Sequence, residues 1–200
     1  MKNAALSARP SVWDATRRGF EEPTASGRIG VHPTTALTLG TSASSGPYLR
    51  EGTEALLQRG QDTGGLRETV VAVDASFARH HLELWSELFL ARWEVPLGNV
   101  RRFPRGVLDA DTLAYYLEAR YRVTPKVFAA LRWNQQMFGD VDDGRGVAHP
   151  WDRDAWRVDS AIGYRFDRHV QAKLQYSYTR QVGDLQQGEQ LVAAQMSVRF

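Results

Sequence analysis

The sequence predicts an all-β chain, an antiparallel up-and-down transmembrane β-barrel of about nine or ten strands. Three observations predict it. Apolar residues recur at every second position over most of the chain, the period of a strand rather than of a helix. The connections between these segments alternate between tight and long. The chain also stops inside an alternating segment, "EQLVAAQMSVRF", on an aromatic, whereas the ends of soluble domains usually fray into polar residues.

"SVWDATRRGF", "SGRIGV" and "ALTLGTSAS" are short and weakly patterned strands. "GTEALLQRG" is the one candidate helix, short and inside a loop. "ETVVAVDASFARH" sets Val71, Val73, Ala75 and Phe77 against Ala72, Asp74 and Ser76. "HLELWSELFLARWEV" sets Leu82, Leu84 and Leu88 against Glu83, Trp85, Glu87 and Phe89. "TLAYYLEARYRV" puts Leu113, Tyr115, Leu117, Ala119, Tyr121 and Val123 on one face, with Tyr116, Glu118, Arg120 and Arg122 on the other. In "KVFAALRWNQQMF", Val127, Ala129, Leu131, Trp133 and Met137 oppose Arg132, Asn134 and Gln136. In "AWRVDSAIGYRF", Trp156, Val158, Ile162, Tyr164 and Phe166 oppose Arg157, Asp159, Gly163 and Arg165. "HVQAKLQYSYTRQ" opposes Val170, Ala172, Leu174, Tyr176 and Tyr178 to Gln171, Lys173, Gln175, Ser177 and Thr179.

"HPTT", "RHH", "VTPK" and "FDRH" are tight connections, and all fall at the end where Phe200 lies. "YLREGTEALLQRGQDTGGLR", "PLGNVRRFPRGVLDAD", "DVDDGRGVAHPWDRD" and "VGDLQQGEQ" are long or polar and fall at the other end. Short turns at one end and long loops at the other are the plan of a transmembrane barrel. Trp133, Trp156, Tyr164, Phe166, Tyr176, Tyr178 and Phe200 lie on the apolar face near strand ends, as in the aromatic girdles at membrane interfaces. The polar face suits a wet lumen. The competing reading is a soluble β-sandwich whose core these aromatics fill.

Composition bounds the rest. With 200 residues, one domain over 1–200, whole or partial barrel, is expected, with residues 1–10 disordered. No apolar run reaches the roughly 20 residues of a spanning helix, and no apolar segment of about 7–15 residues follows Lys2 to serve as an export signal. A net charge of +2 is too small to argue for nucleic acid. The absence of cysteine excludes disulfides and thiolate chemistry.

At "LVAAQMSVRF", with Phe200 terminal and Val198 and Met196 on its face, and from "GRIGVHPTTALTLGTSASSGPYL" to the end, the chain resembles the C-terminal part of Gram-negative outer-membrane porins. "DASFARHHLELWSELFLARWEVP" looks like phosphate-selective (O/P-type) porins. The resemblance implies passive diffusion of small hydrophilic solutes or anions, an outer-membrane location, lipid and the barrel-assembly machinery as partners, and room for a homotrimer. It makes Phe200, Val198 and Met196 the assembly signal. Such porins have about 16 to 18 strands and begin with a signal peptide. A chain with half the strands and no signal is therefore expected to be a fragment; a complete small outer-membrane barrel acting as a binding module is the alternative.

The lumen-facing set is Arg120, Arg132, Arg157, Arg165, Lys173, Glu87, Glu118 and Asp159, joined by Arg28, Arg122, Asp74 and Glu83. Such a wall attracts anions, unless its Arg and Glu residues pair across strands and only brace it. No cofactor or metal is expected. A calcium loop starting at Asp140 would need a Glu where Trp151 stands, and His80 and His81 are adjacent and would point to opposite faces. No Ser–His–Asp set can be placed: Ser86 lies on the apolar face with no His beside it. The expectation is that the protein is not an enzyme.

Overall fold

The structure is a computed structural model that describes residues 23–49, 57, 64–96, 107–142, 147–183 and 188–199. Its strands are β1 (Ala25–Thr34), β2 (Leu37–Pro47), β3 (Arg67–Arg79), β4 (Leu82–Pro96), β5 (Val107–Arg122), β6 (Val127–Phe138), β7 (Asp140–Asp142), β8 (Ala148–Pro150), β9 (Ala155–Arg165), β10 (Val170–Gln181) and β11 (Glu189–Val198). Nine of them form one sheet in the order β1-β2-β3-β4-β5-β6-β9-β10-β11, and β7 and β8 pair as a separate small hairpin. Every pairing is antiparallel, between neighbours along the sheet.

Local chemistry closes the tight turns. Thr34 Oγ1 accepts the Leu37 amide at 3.1 Å. Thr124 Oγ1 accepts the Val127 amide at 3.0 Å. Asp167 Oδ1 accepts the amides of His169 at 2.6 Å and Val170 at 2.9 Å. In each case a short polar side chain imitates a backbone acceptor and reverses the chain. The β3–β4 turn is His80-His81 instead, with His80 left-handed at φ 54°, which the twist of a two-residue hairpin favours. All four turns lie at the end where β11 finishes, and Arg199 N donates to His169 O there at 2.9 Å.

Register sorts the side chains into two faces. Leu84, Leu117, Leu131, Ile162, Leu174 and Met196 share one, and Leu117, Leu131 and Met196 on it are 56%, 57% and 68% exposed. The buried strand residues lie on the other face: Ala72, Ala110, Thr112, Phe128, Asp159 and Ser177. Burial thus falls on the polar face, which makes it the crowded concave side, while the large apolar side chains stand outward. A sandwich reverses this and covers its apolar face with a second sheet; among the described residues the only other sheet is the β7–β8 hairpin. The soluble sandwich reading is therefore corrected.

Aromatics bracket the apolar belt. Trp133 stacks on Trp156 at 5.3 Å, and Trp156 leans on Tyr178 at 5.4 Å. Toward the turns, Tyr164 meets Phe166 edge-on at 5.0 Å. Along β9, Trp156 to Tyr164 is about eight steps, or ~26 Å along the strand and ~20 Å along the barrel axis after tilt. That is close to the ~25 Å apolar band of outer-membrane barrels. In a lipid bilayer, Leu174→Cys is expected to resist a charged thiol reagent and Lys173→Cys to react, in a background that has no other cysteine. Equal labelling of both sites by the reagent would contradict the facing.

Several expectations change. The ladder between β4 and β5 continues to Pro96↔Val107, so "VLDAD" is strand rather than loop. Its outward residues are charged, and Arg92 grips Asp111 with two hydrogen bonds of 2.7 and 2.8 Å. The strands thus outrun the lipid belt, and the pair marks its upper edge. His32 lies within β1, and the first turn is Thr35-Ala36 rather than "HPTT". Val123 and Phe166 are turn residues just past their strands. "DVDDGRG" contributes Asp140–Asp142 to the small hairpin rather than a plain acidic loop. The expected strand "SVWDATRRGF", the disorder of residues 1–10, Phe200 and, Leu57 apart, the helix "GTEALLQRG" lie outside the described residues. β1 and β11 form the two edges of the sheet and are exposed throughout; among the described residues nothing pairs across either edge.

Candidate functional site

The candidate site is the polar face. Register places Glu87, Glu118, Arg120, Arg132, Arg157, Asp159, Arg165 and Lys173 on it together, with Arg28, Asp74, Glu83 and Arg122. Its middle is a connected network. Asp159, 7% exposed, accepts from Asn134 Nδ2 at 3.0 Å, Arg157 Nε at 3.1 Å and Gln175 Nε2 at 3.3 Å. Arg132 Nε donates to Asn134 Oδ1 at 2.8 Å, lies 3.7 Å from Glu118, and sits 4.0 Å over the Tyr116 ring. A buried carboxylate is tolerable because its lone pairs are met by donors, one of them charged.

Two positions are shaped by glycines. Arg28 on β1 reaches Asp74 on β3 at 2.7 Å, passing over β2 at Gly40, where a Cβ would collide with both groups. Phe128 lies across Gly163, where a Cβ would overlap the ring. Arg120 stacks 4.0 Å above that same ring and reaches Glu83 at 3.7 Å, a carboxylate that also meets Arg122 at 3.8 Å.

The pairing is uneven. Arg28, Arg120, Arg122, Arg132 and Arg157 each lie 3.8 Å or less from a carboxylate. Among the described residues, Arg165 and Lys173 have no such partner, and neither do Lys126, Arg168 and Arg199 at the turn end. These last three were missed in the sequence because Lys126 and Arg168 sit in turns and Arg199 just past the end of β11. Their signal was there: the turns at one end are basic.

At the loop end, the long β6–β9 connection returns onto the same face. Trp151 packs edge-on against Trp93 at 5.8 Å and Phe138 at 4.8 Å, and both belong to the polar face by register. Its Nε1 donates to Asp111 O at 2.7 Å. Nearby, Tyr48 donates to Glu94 O at 3.1 Å. Burial, then Glu68 and Glu94, push this hydroxyl up to about 12, so it keeps its proton and its bond through neutral pH. Among the described residues, no group of three or more His, Asp or Glu could hold a metal ion. Val198 and Met196 share the outward face of β11 and are exposed.

No protein family and no curated protein matches the chain. Solved structures do. A loop L8 deletion mutant of OmpT, an outer membrane protein of Vibrio cholerae, matches with a TM-score of 0.61 at 13% identity, over 88% of this chain and 53% of that one. Outer-membrane expressed OmpT of Vibrio cholerae matches at 0.58, and an in-vitro folded OmpT described in trimer form at 0.54, each at 13% identity over 88% of this chain and 54% of the other. The chain spans about half the length of these proteins. It has the fold of an outer-membrane β-barrel protein, with the lipid-facing surface that a place in the outer membrane requires.

These neighbours correct one expectation. The exclusion of an enzyme rested on the lack of a placeable Ser–His–Asp set, and three solved chains of this fold are OmpT proteins, which count against that exclusion. The physical flaw is plain: a missing serine triad removes one chemistry and leaves carboxylate and histidine chemistry untouched. A fold shared at 13% identity assigns no reaction in its place.

Proposed function

We propose that this chain builds the wall of a water-filled outer-membrane pore that passes small hydrophilic solutes and leans toward anions. The observation that carries the reading is the polar face itself. It runs along the side of the sheet away from lipid, and its charges without a carboxylate or cationic partner are mainly cations. Fixed positive charge on a low-dielectric wall raises the local concentration of anions. The narrower likeness to phosphate-selective porins is not carried by the solved chains named above. A homotrimer is the assembly this reading takes, and Met196, Val198 and Phe200 are its signal to the barrel-assembly machinery.

Protein that migrates as a folded, heat-modifiable barrel is expected to give discrete conductance steps in planar bilayers. In a potassium chloride gradient the reversal potential is expected on the chloride side. Arg165→Gln and Lys173→Gln together are expected to move it toward zero. Folded, inserted protein that gives no steps, or a preference for potassium, would overturn the reading.

A further inference from the structure

We propose that the lipid-facing side of β3 to β6 holds an anionic glycerophospholipid, with one acyl chain in a groove of the wall and the phosphate on Arg79. The site rests on the chain's place in the outer membrane and not on the pore reading. The groove has a volume of about 620 Å³. Small residues cut it into the apolar face: register sets Ala75, Ser86 and Ala119 among Leu84, Leu131 and Trp133. Side chains that border a gap lose their dispersion partners, so a groove in a wall surrounded by hydrocarbon is best filled by a chain.

The turn end of the groove meets a cation. Arg79 follows Phe77 on the same face, with Leu82 and then Tyr121 beside it on the next two strands. Arg79 is exposed, and among the described residues no carboxylate pairs with it. Tyr121, 52% exposed, meets the His81 ring edge-on at 6.2 Å, and amphipathic rings of this kind sit at headgroup level. From Arg79 to Ala75 is about four steps, or ~13 Å along the strand and ~10 Å along the membrane normal after tilt. The groove thus runs from the headgroups at the turn end toward the middle of a core about 30 Å thick. That is the reach of a chain from one leaflet.

The headgroup follows from the charges. Leu82, Tyr121 and Ala129 share the row of Arg79, and none is acidic. A second copy seated here would enclose the Arg79 charge without a carboxylate, which is costly. A phosphate supplies the missing anion in the geometry that a guanidinium fork prefers. A zwitterionic headgroup adds an ammonium that finds no acid in this row, so a lipid of net negative charge fits best. The groove nearer the loops, about 670 Å³, ends instead at Arg92, whose guanidinium Asp111 already holds.

The test is native mass spectrometry of the full chain, refolded in detergent micelles and titrated with dioleoyl phosphatidylglycerol. One retained lipid per chain is expected, and dioleoyl phosphatidylcholine should bind about fivefold more weakly or worse. Arg79→Gln should weaken retention of phosphatidylglycerol by about fivefold or more. Ala119→Leu, which fills the groove and leaves the cation, should weaken it by a similar factor. Arg180→Gln removes a cation on the same face at the loop end and should change retention by less than about twofold. Heat-modifiable migration checks that each variant folds. Equal retention of the two lipids, or parent-like retention by Arg79→Gln or Ala119→Leu, would overturn the site. So would a lipid-free dimer that Ala119→Leu dissociates, since a second copy would then cover the groove. Arg79-dependent retention by folded protein that gives no conductance steps would uphold the site and overturn the pore reading alone.

Discussion

Asp159→Ala is expected to destabilise the folded sheet by about 1–3 kcal/mol, the cost of leaving three half-buried or exposed donors without their shared acceptor. Three side chains from three strands point at this one carboxylate: Asn134 on β6, Arg157 on β9 and Gln175 on β10. Removing it strands all three, and Arg132 loses the fixed position of Asn134. Asp159→Asn keeps an acceptor of the same shape and should lose about half as much. Denaturant unfolding from lipid vesicles, followed by tryptophan fluorescence, measures both. The same change frees the Arg157 guanidinium, so the anion preference should rise as stability falls. A variant as stable as the parent would show that the network is decoration on a wall held by its backbone.

Gly163→Ala is the second. The added methyl must occupy space that the Phe128 ring holds, and Arg120 stacks on that ring. The ring has to swing away from β9 and take the guanidinium from Glu83. Overpacking of this kind costs about 1–3 kcal/mol. The double variant Phe128→Ala/Gly163→Ala should lose less than the sum of its singles, because the collision then disappears. Additive losses would place the cost in the backbone of β9 rather than in the ring.

The strands and their facing were legible because alternation is a local property: Leu174 and Lys173 declare opposite sides without reference to any neighbour. Turn alternation added the topology, since Thr34, Thr124 and Asp167 carry their turn chemistry within a few residues. What escaped was whatever depends on register. Asp109 and Asp111 read as loop because charge usually ends a strand; only the pairing of Arg92 with Asp111 shows that the ladder continues above the lipid. The candidate lumen residues could be placed on a face, but not sorted into paired and unpaired. That sorting depends on which strand lies opposite, as Arg132 with Glu118 across β5 and β6 and Arg165 with none make clear. The Phe128–Gly163 contact joins residues far apart in the chain and has no signature in either segment. Trp151 was noticed only as the wrong residue for a calcium loop, and its packing on Trp93 comes from a loop that folds back.

The exposed edges of the sheet have a topological consequence. Among the described residues the sheet has nine strands, an odd number, so β1 and β11 both run toward the tight-turn end and have no antiparallel closure onto each other. A second copy in the same orientation does not help, because each seam would set β11 beside a parallel β1. A copy turned end over end restores antiparallel seams but puts long loops on both sides of the membrane. Only an odd number of further strands between β11 and β1 satisfies both the hydrogen bonding of the edges in lipid, where each unmet group costs several kcal/mol, and the sidedness of the loops. The solved OmpT chains, of which this chain covers about half, have room for such a remainder. Among the described residues the sheet is thus one arc, and antiparallel closure of a ring asks for an odd number of strands in the other arc.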